Sequence, residues 1–99
     1  MIEDVEITDN EFLRQFELEI GDNMARIEYA LQDRKIFLTK YEMPEDLEDQ
    51  GFRDIFIKAV FDEVRDRGIS VMPTSPEVVG FLRKNRRTYR DLLPVGINI

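Results

Sequence analysis

The hydrophobic period of this sequence first changes between residues 43 and 52, and that switch restricts the possible folds more than any other feature. Before it, "RQFELEI" sets Phe16, Leu18 and Ile20 on one face and Gln15, Glu17 and Glu19 on the other. A period of two is that of a half-buried strand. "MARIEYAL" alternates again through Ala25, Ile27, Tyr29 and Leu31, and "KIFLTKYEM" supplies a third strand. Turn-forming "GDN" and "QDR" separate the three, which therefore read as an antiparallel meander. After the switch, Phe52, Ile55, Phe56, Ala59, Val60 and Val64 follow the i, i+3, i+4 stripe of an amphipathic helix. Arg65 and Arg67 suit its C-terminal dipole, and Gly68 is a natural stop.

"ISVM" is a short β-branched strand ended by Pro73. A strand, a crossover helix and a further strand normally form a right-handed β-α-β unit, so "ISVM" is expected to run parallel to "KIFLTKY". Ser75 as N-cap and Pro76 at N1 open a second helix, and "TYRDLL" adds a helical turn before Pro94. The expected fold is α+β: β-β-β-α-β-α, a mixed sheet with helices against it. A chain of 99 residues makes one domain, here with an N-terminal arm at 1–10 and an apolar tail at 94–99. It buries only about 60–65% of its unfolded surface, enough for one core and one site.

Composition then narrows the chemistry. With no cysteine, disulfides, thiolate metal sites and thiol nucleophiles are excluded; with no histidine, the usual neutral-pH base and zinc ligand are missing. "MIEDVEITDNEF" has neither the basic nor the apolar region of a signal peptide, and no apolar run approaches the roughly 20 residues that span a bilayer. A cytoplasmic protein without membrane attachment is expected. The net charge of −7 is unevenly spread: 15 acids and 5 bases in residues 1–50, 6 acids and 9 bases in residues 51–99. The basic excess lies in "RKNRRTYR". An acidic body repels polyanions at long range, so nucleic-acid binding is not expected.

The order of elements, with "KYEMPEDLEDQGFRDIF" followed by "ISVMPTSPEVVGFLRKNRRTYRDLL", resembles the Gcn5-related N-acetyltransferase (GNAT) superfamily, and more narrowly its small, single-domain YjdJ-type members. The likeness extends from about Phe12 to Leu93. It implies a GNAT-like sandwich that binds acetyl-CoA between "KIFLTKY" and "ISVM". The family's phosphate loop, Arg/Gln-x-x-Gly-x-Gly/Ala, falls on Glu48, Asp49, Gln50, Gly51, Phe52 and Arg53. Such loops work because glycines admit a pyrophosphate to the backbone, whose amides and helix dipole favour an anion. On that reading Gln50, Gly51, Phe52, Arg53 and Asp54 are the cofactor-binding candidates. This loop is degenerate: Glu48 replaces the basic residue and Arg53 the last glycine. From Glu42 to Asp54 six acids face one base. These acids either oppose a phosphate or merely complement the helix N-terminus and solvate the surface.

The resemblance also supplies catalytic candidates. Glu42 keeps the acid of the family's "HTEV" and would take a proton from the attacking amine if burial raised its pKa. Tyr89 matches "hPEYxDL"; it either protonates a departing thiolate or anchors packing with a tethered hydroxyl. Ser75 stands where the family has a cysteine. A hydroxyl with no histidine to activate it is a poor nucleophile, and an N-cap is the preferred reading.

The implied function is acetyl-CoA-dependent transfer of acetyl to a primary amine of unknown acceptor. The alternative is a catalytically inactive GNAT-fold binding or interaction protein that has lost the pyrophosphate cradle. The tail Val95–Ile99 either pairs as an edge strand in a homodimer or covers its own sheet.

Overall fold

The structure is a computed structural model and describes residues 5–94 and residue 96. Its strands are β1 (Thr8–Asn10), β2 (Gln15–Ile20), β3 (Asn23–Gln32), β4 (Lys35–Glu42) and β5 (Ser70–Pro73). Its helices are α1 (Glu45–Asp49), α2 (Phe52–Arg67), α3 (Pro76–Lys84) and α4 (Arg86–Tyr89), followed by a 3-10 turn over Arg90–Leu92. The sheet order is β1-β2-β3-β4-β5: antiparallel from β1 to β4, with β5 parallel to β4. The α+β architecture, the meander and the parallel unit across α2 thus agree with the sequence.

Local chemistry explains the agreement. β2 and β3 send Phe16, Leu18, Ala25, Ile27 and Tyr29 inward, all buried, while Glu17, Glu19, Arg26 and Glu28 face the other side. α2 ends at Gly68, whose left-handed backbone (φ 69°) lets its amide close on the Arg65 carbonyl. α3 lies beside α2 on the same face of the sheet. Phe61 meets Phe81 edge-on at 5.3 Å and Tyr89 edge-on at 5.1 Å between ring centroids. The buried side chains form one cluster.

Two elements were not anticipated. β1 is only three polar residues long and is fixed by pairing with β2 (Thr8↔Glu17 to Asn10↔Gln15). α1 occupies what reads as an acidic loop. It is too short to show a stripe, buries only Leu47, and carries Glu45, Asp46 and Glu48 in its first turn, where carboxylates suit the dipole. "TYRDLL" is divided between the end of α4 and the 3-10 turn. The proposed tail pairing concerns Val95 and residues 97–99, which lie outside the described residues.

Candidate functional site

The site begins where β4 and β5 part. They pair only over Lys35–Leu38 and Ser70–Pro73. The Leu38 carbonyl is the last link: it accepts hydrogen bonds from the amides of Thr74 (3.3 Å) and Ser75 (3.2 Å) and from Thr74 Oγ1 (2.9 Å). The chain then turns into α3, while β4 continues to Glu42 with no strand among the described residues on that side. The register against β3 shifts at the same point. Tyr29 faces Leu38 but Glu28 faces Lys40, so Thr39 is an extra residue in a β-bulge. The bulge reverses side-chain parity. Tyr41 falls opposite buried Ile27 on the helix side, and Glu42 opposite Arg26 on the open side.

The α1–α2 corner forms the second wall. Gly51 has φ 86° and ψ 20°, a left-handed conformation that favours glycine, and a Cβ built there would meet no atom within 4 Å. The amides of Gln50 and Gly51 turn back onto α1, donating to the carbonyls of Asp46 (3.3 Å) and Glu48 (3.0 Å). The Gln50 side chain does the same, to Asp46 at 3.1 Å. Gln50 and Gly51 therefore close α1 and cannot also offer these amides to a phosphate, a correction to the expected contact set. The cause is that α1 is a helix whose last carbonyls need donors. The amides of Phe52, Arg53 and Asp54 make no hydrogen bond among the described residues, and α2 has no side-chain cap. The Phe52 side chain is buried in the core, which fixes the first turn.

The charges of the loop are largely answered internally. Arg53 and Glu48, the two substitutions that depart from the family pattern, bind each other: Nε donates to Oε1 (2.9 Å) and Nη2 to Oε2 (2.6 Å). The Arg53 guanidinium also lies over the Tyr41 ring, 5.5 Å from its centroid, and the Glu48 carboxylate holds Arg53 well above its usual pKa. Burial, then the charge of Glu48, pushes the Tyr41 phenol up. Asp54 holds Lys84 at 2.9 Å, and Glu42 is claimed by Arg26 and Lys40, each at 3.0 Å. Glu45, Asp46 and Asp49 point into solvent. Half of the six carboxylates are thus ion-paired, and the other half are screened by water rather than aimed at the corner.

The three chemical candidates do not converge. Glu42 is 42% exposed on the open face of the sheet, and its hydrogen bonds from Arg26 and then Lys40 pull its pKa below the ordinary glutamate value. The burial that would have made it a base is absent, because the bulge turns it outward. Ser75 occupies the N-cap position of α3, yet its hydroxyl donates to Glu77 Oε1 (2.7 Å) instead of capping an amide. It is 2% exposed, and its hydrogen bond lowers the pKa of Glu77. Tyr89 is equally buried, packed on Phe61 and Phe81 under the Arg65 guanidinium, and donates to Asp62 Oδ1 at 3.1 Å. Burial, reinforced by the charge of Asp62, keeps its proton on. Asp62 lies ten residues into α2 from Phe52, or about 15 Å along the axis at 1.5 Å per residue. Tyr89 is thus packed among aromatic rings with its hydroxyl tethered to Asp62.

Residues 15–92 match the sequence profile of the GCN5-related N-acetyl-transferase family. The chain belongs to that family. The GNAT fold is matched by a solution structure of a GCN5-like candidate N-acetyltransferase from Staphylococcus aureus, with a TM-score of 0.69 and 23% identity, covering 99% of this chain and 94% of that one. A comparison with curated proteins finds no significant match. No helix among the described residues is long and apolar enough to cross a membrane. For this GNAT member, sequence reasoning missed the bulge at Thr39 and the pairing of Glu48 with Arg53. The opposite charges of that pair, five residues apart on either side of a glycine, were the one available sign of it.

Proposed function

We propose that this GNAT protein binds acetyl-CoA at the α1–α2 corner and transfers its acetyl group to a primary amine. The observation that carries the reading is the left-handed Gly51 with open space beside it, followed by three amides without a partner among the described residues, beside the divergence of β4 and β5. Main-chain donors and the helix dipole together favour an anion there. The fit is to the main chain: the amides of Phe52, Arg53 and Asp54 would hold the pyrophosphate, with the Arg53 guanidinium joining them once Glu48 releases it. The free edge of β4 from Thr39 onward would accompany the pantetheine arm. When bound, acetyl-CoA supplies a thioester carbon that an amine attacks directly. The protein adds little acid–base help to that attack. Glu42 is a weak base at its lowered pKa, so the amine must arrive already neutral. A cytoplasmic setting is consistent with a chain that lacks cysteine.

A second reading, a GNAT-fold protein that binds without turnover, is favoured by the engagement of Glu42, Ser75 and Tyr89 in other bonds. Thermal unfolding with acetyl-CoA and CoA, followed by thiol release with a panel of amines from pH 7 to 10, separates the two. Binding at 100 times Kd should add about 2.7 kcal/mol of stability. Turnover should rise with pH as the amine loses its proton. A stability gain with no thiol release from any amine would leave CoA binding without turnover. No gain at millimolar ligand would remove the acetyl-CoA reading and leave the inactive relative that has lost the pyrophosphate cradle.

A further inference from the structure

Among the described residues four large apolar side chains are exposed, and three of them gather at one end of the sheet: Phe12 (94% exposed), Leu13 (56%) and Leu31 (50%). The turn at 11–14 joins β1 to β2 and is tied to β3, where the Tyr29 amide donates to the Arg14 carbonyl at 2.9 Å. A second tie holds its start: the Leu13 amide donates to Asn10 Oδ1 at 3.1 Å. Arg14 is left-handed, with φ 55°, a conformation that residues other than glycine adopt at a cost. Phe12 therefore stands in solvent on a braced turn rather than on a loose one. Leu31 has the inward parity of Ala25, Ile27 and Tyr29, but it lies past Gln15↔Glu28, the last pair between β2 and β3.

Beside this ring lies a space of its size. Asp9, Glu11, Arg14, Tyr29, Leu31 and Arg67 line an open depression of about 270 Å³. A cavity of about 150 Å³ is enough to hold benzene, so a phenyl ring fits with room for its stem. At 94% exposed, Phe12 does not occupy the depression of its own chain. The wall carries two acids and two bases, with Asp9 and Arg67 paired at 2.7 Å and Tyr29 donating to Asp9 at 2.6 Å. Its charge is balanced, whereas the chain as a whole carries −7 and repels its own kind elsewhere. Two copies can therefore meet at this surface without repulsion. A projecting ring and a matching hollow side by side are what a two-fold axis needs, because one patch then serves both partners.

We infer that this surface is a dimer contact between two copies of the chain, in which Phe12 of each copy seats in the depression beside Tyr29 and Leu31 of the other. A phenylalanine offers about 150–250 Å², and with the two leucines it supplies, over both copies, a large part of the roughly 1,200 Å² at which specific interfaces begin. The dimer is accordingly a weak one, with a dissociation constant on the order of 10 μM. Leu31 faces Ile36 near the start of β4, the end of that strand far from the α1–α2 corner. The contact is thus independent of the acetyl-CoA reading.

Sedimentation equilibrium of the full chain from about 5 to about 500 μM tests this, with dimer expected over the upper part of that range. F12A should weaken association roughly a hundredfold, since one substitution removes two equivalent seats each worth about tenfold. Its melting temperature should stay close to that of the parent, because the ring it removes is almost wholly in solvent. L31K, which spoils the hollow and keeps the ring, should weaken association to a similar extent. An equimolar mixture of F12A and L31K regains one seat, the ring of one variant entering the intact hollow of the other. It should associate about tenfold more tightly than either variant alone. A parent that stays monomeric at about 500 μM would overturn the inference. So would a dimer that F12A leaves unchanged, which would use another surface. A mixture no tighter than its components would overturn the reciprocal seating, and the inference with it.

Discussion

Replacing Glu48 with glutamine separates the two roles that its carboxylate plays. In the free protein Glu48 pairs with Arg53 through two short contacts, on side chains 25% and 46% exposed respectively. Because Arg53 is nearly half in solvent, the pair should contribute no more than about 1 kcal/mol to stability. For a chain of this size that is a fall of at most roughly 4–8 °C in melting temperature. Towards a bound pyrophosphate the same carboxylate is a competitor. At about 6 Å from a phosphate charge it opposes binding by about 0.7 kcal/mol in a water-like dielectric and about 3 kcal/mol at an effective dielectric of 20. The corner is open and salt screens it, so the lower end applies, and Glu48→Gln should tighten CoA binding roughly three- to tenfold. Stability and affinity thus move in opposite directions, which few surface substitutions do. A thermal melt of the free variant and a titration with CoA measure both. An E48Q protein that binds CoA no better than the parent would refute the claim that Glu48 occupies the ligand's place on Arg53. A companion Arg53→Gln variant should bind CoA more weakly.

Two further outcomes concern tyrosines. Tyr89→Phe removes the bond to Asp62 but keeps the ring among Phe61 and Phe81, so it should cost about 1–2 kcal/mol in a urea melt. Turnover per folded molecule should stay within about twofold, since a general acid would be worth roughly a hundredfold or more; a loss of that size would return Tyr89 to the chemistry. Tyr29 is 6% exposed, donates to Asp9, and has its pKa pushed up to about 12, first by burial and then by that bond. A raised tyrosine pKa favours the fold fully below pH 10, and the advantage is lost as pH rises from about 10 towards 12. Stability should therefore fall by about 2–3 kcal/mol across that window beyond any general alkaline loss. Tyr29→Phe should flatten the fall, as followed by circular dichroism.

Much of the fold could be read in the sequence because periodicity reports which face of an element is buried. The match is not residue by residue: Ile57 and Phe61 are fully buried beside the expected stripe, whose Ile55 and Ala59 are only partly covered, and Leu31 is exposed. The alternation through Phe16, Leu18 and Ile20 and the stripe from Phe52 to Val64 each determined an element, and Gly68 and Pro76 marked where two helices end and begin. β1 and α1 escaped because three polar residues and five mostly acidic ones carry no periodic signal; pairing with β2 and the burial of Leu47 fix them. The site was less legible for a related reason. A bulge at Thr39 is a property of two strands in register, and its effect on Glu42 depends on Arg26, sixteen residues away. Nor could the loop's charge count reveal its pairing. Six acids against one base looks hostile to phosphate until Glu48, Asp54 and Glu42 are seen to hold cations of their own.

The extra residue in β4 also sorts traffic around the strand. With Tyr41 turned towards the helices and Glu42 towards the uncovered side, the two surfaces of one short ribbon meet different visitors. On the acetyl-CoA reading, the nucleotide-bearing donor would lie on the helical side. On the opposite side, an approaching amine would meet Glu17, Arg26, Glu28, Lys40 and Glu42, with the exposed Met24 beside them. Deleting Thr39 would close the bulge into unbroken alternation, with Leu38 and Tyr41 still inward and Lys40 and Glu42 still outward. A variant lacking Thr39 should accordingly keep Tyr41 opposite Ile27 and Glu42 paired with Arg26, and lose only the local kink.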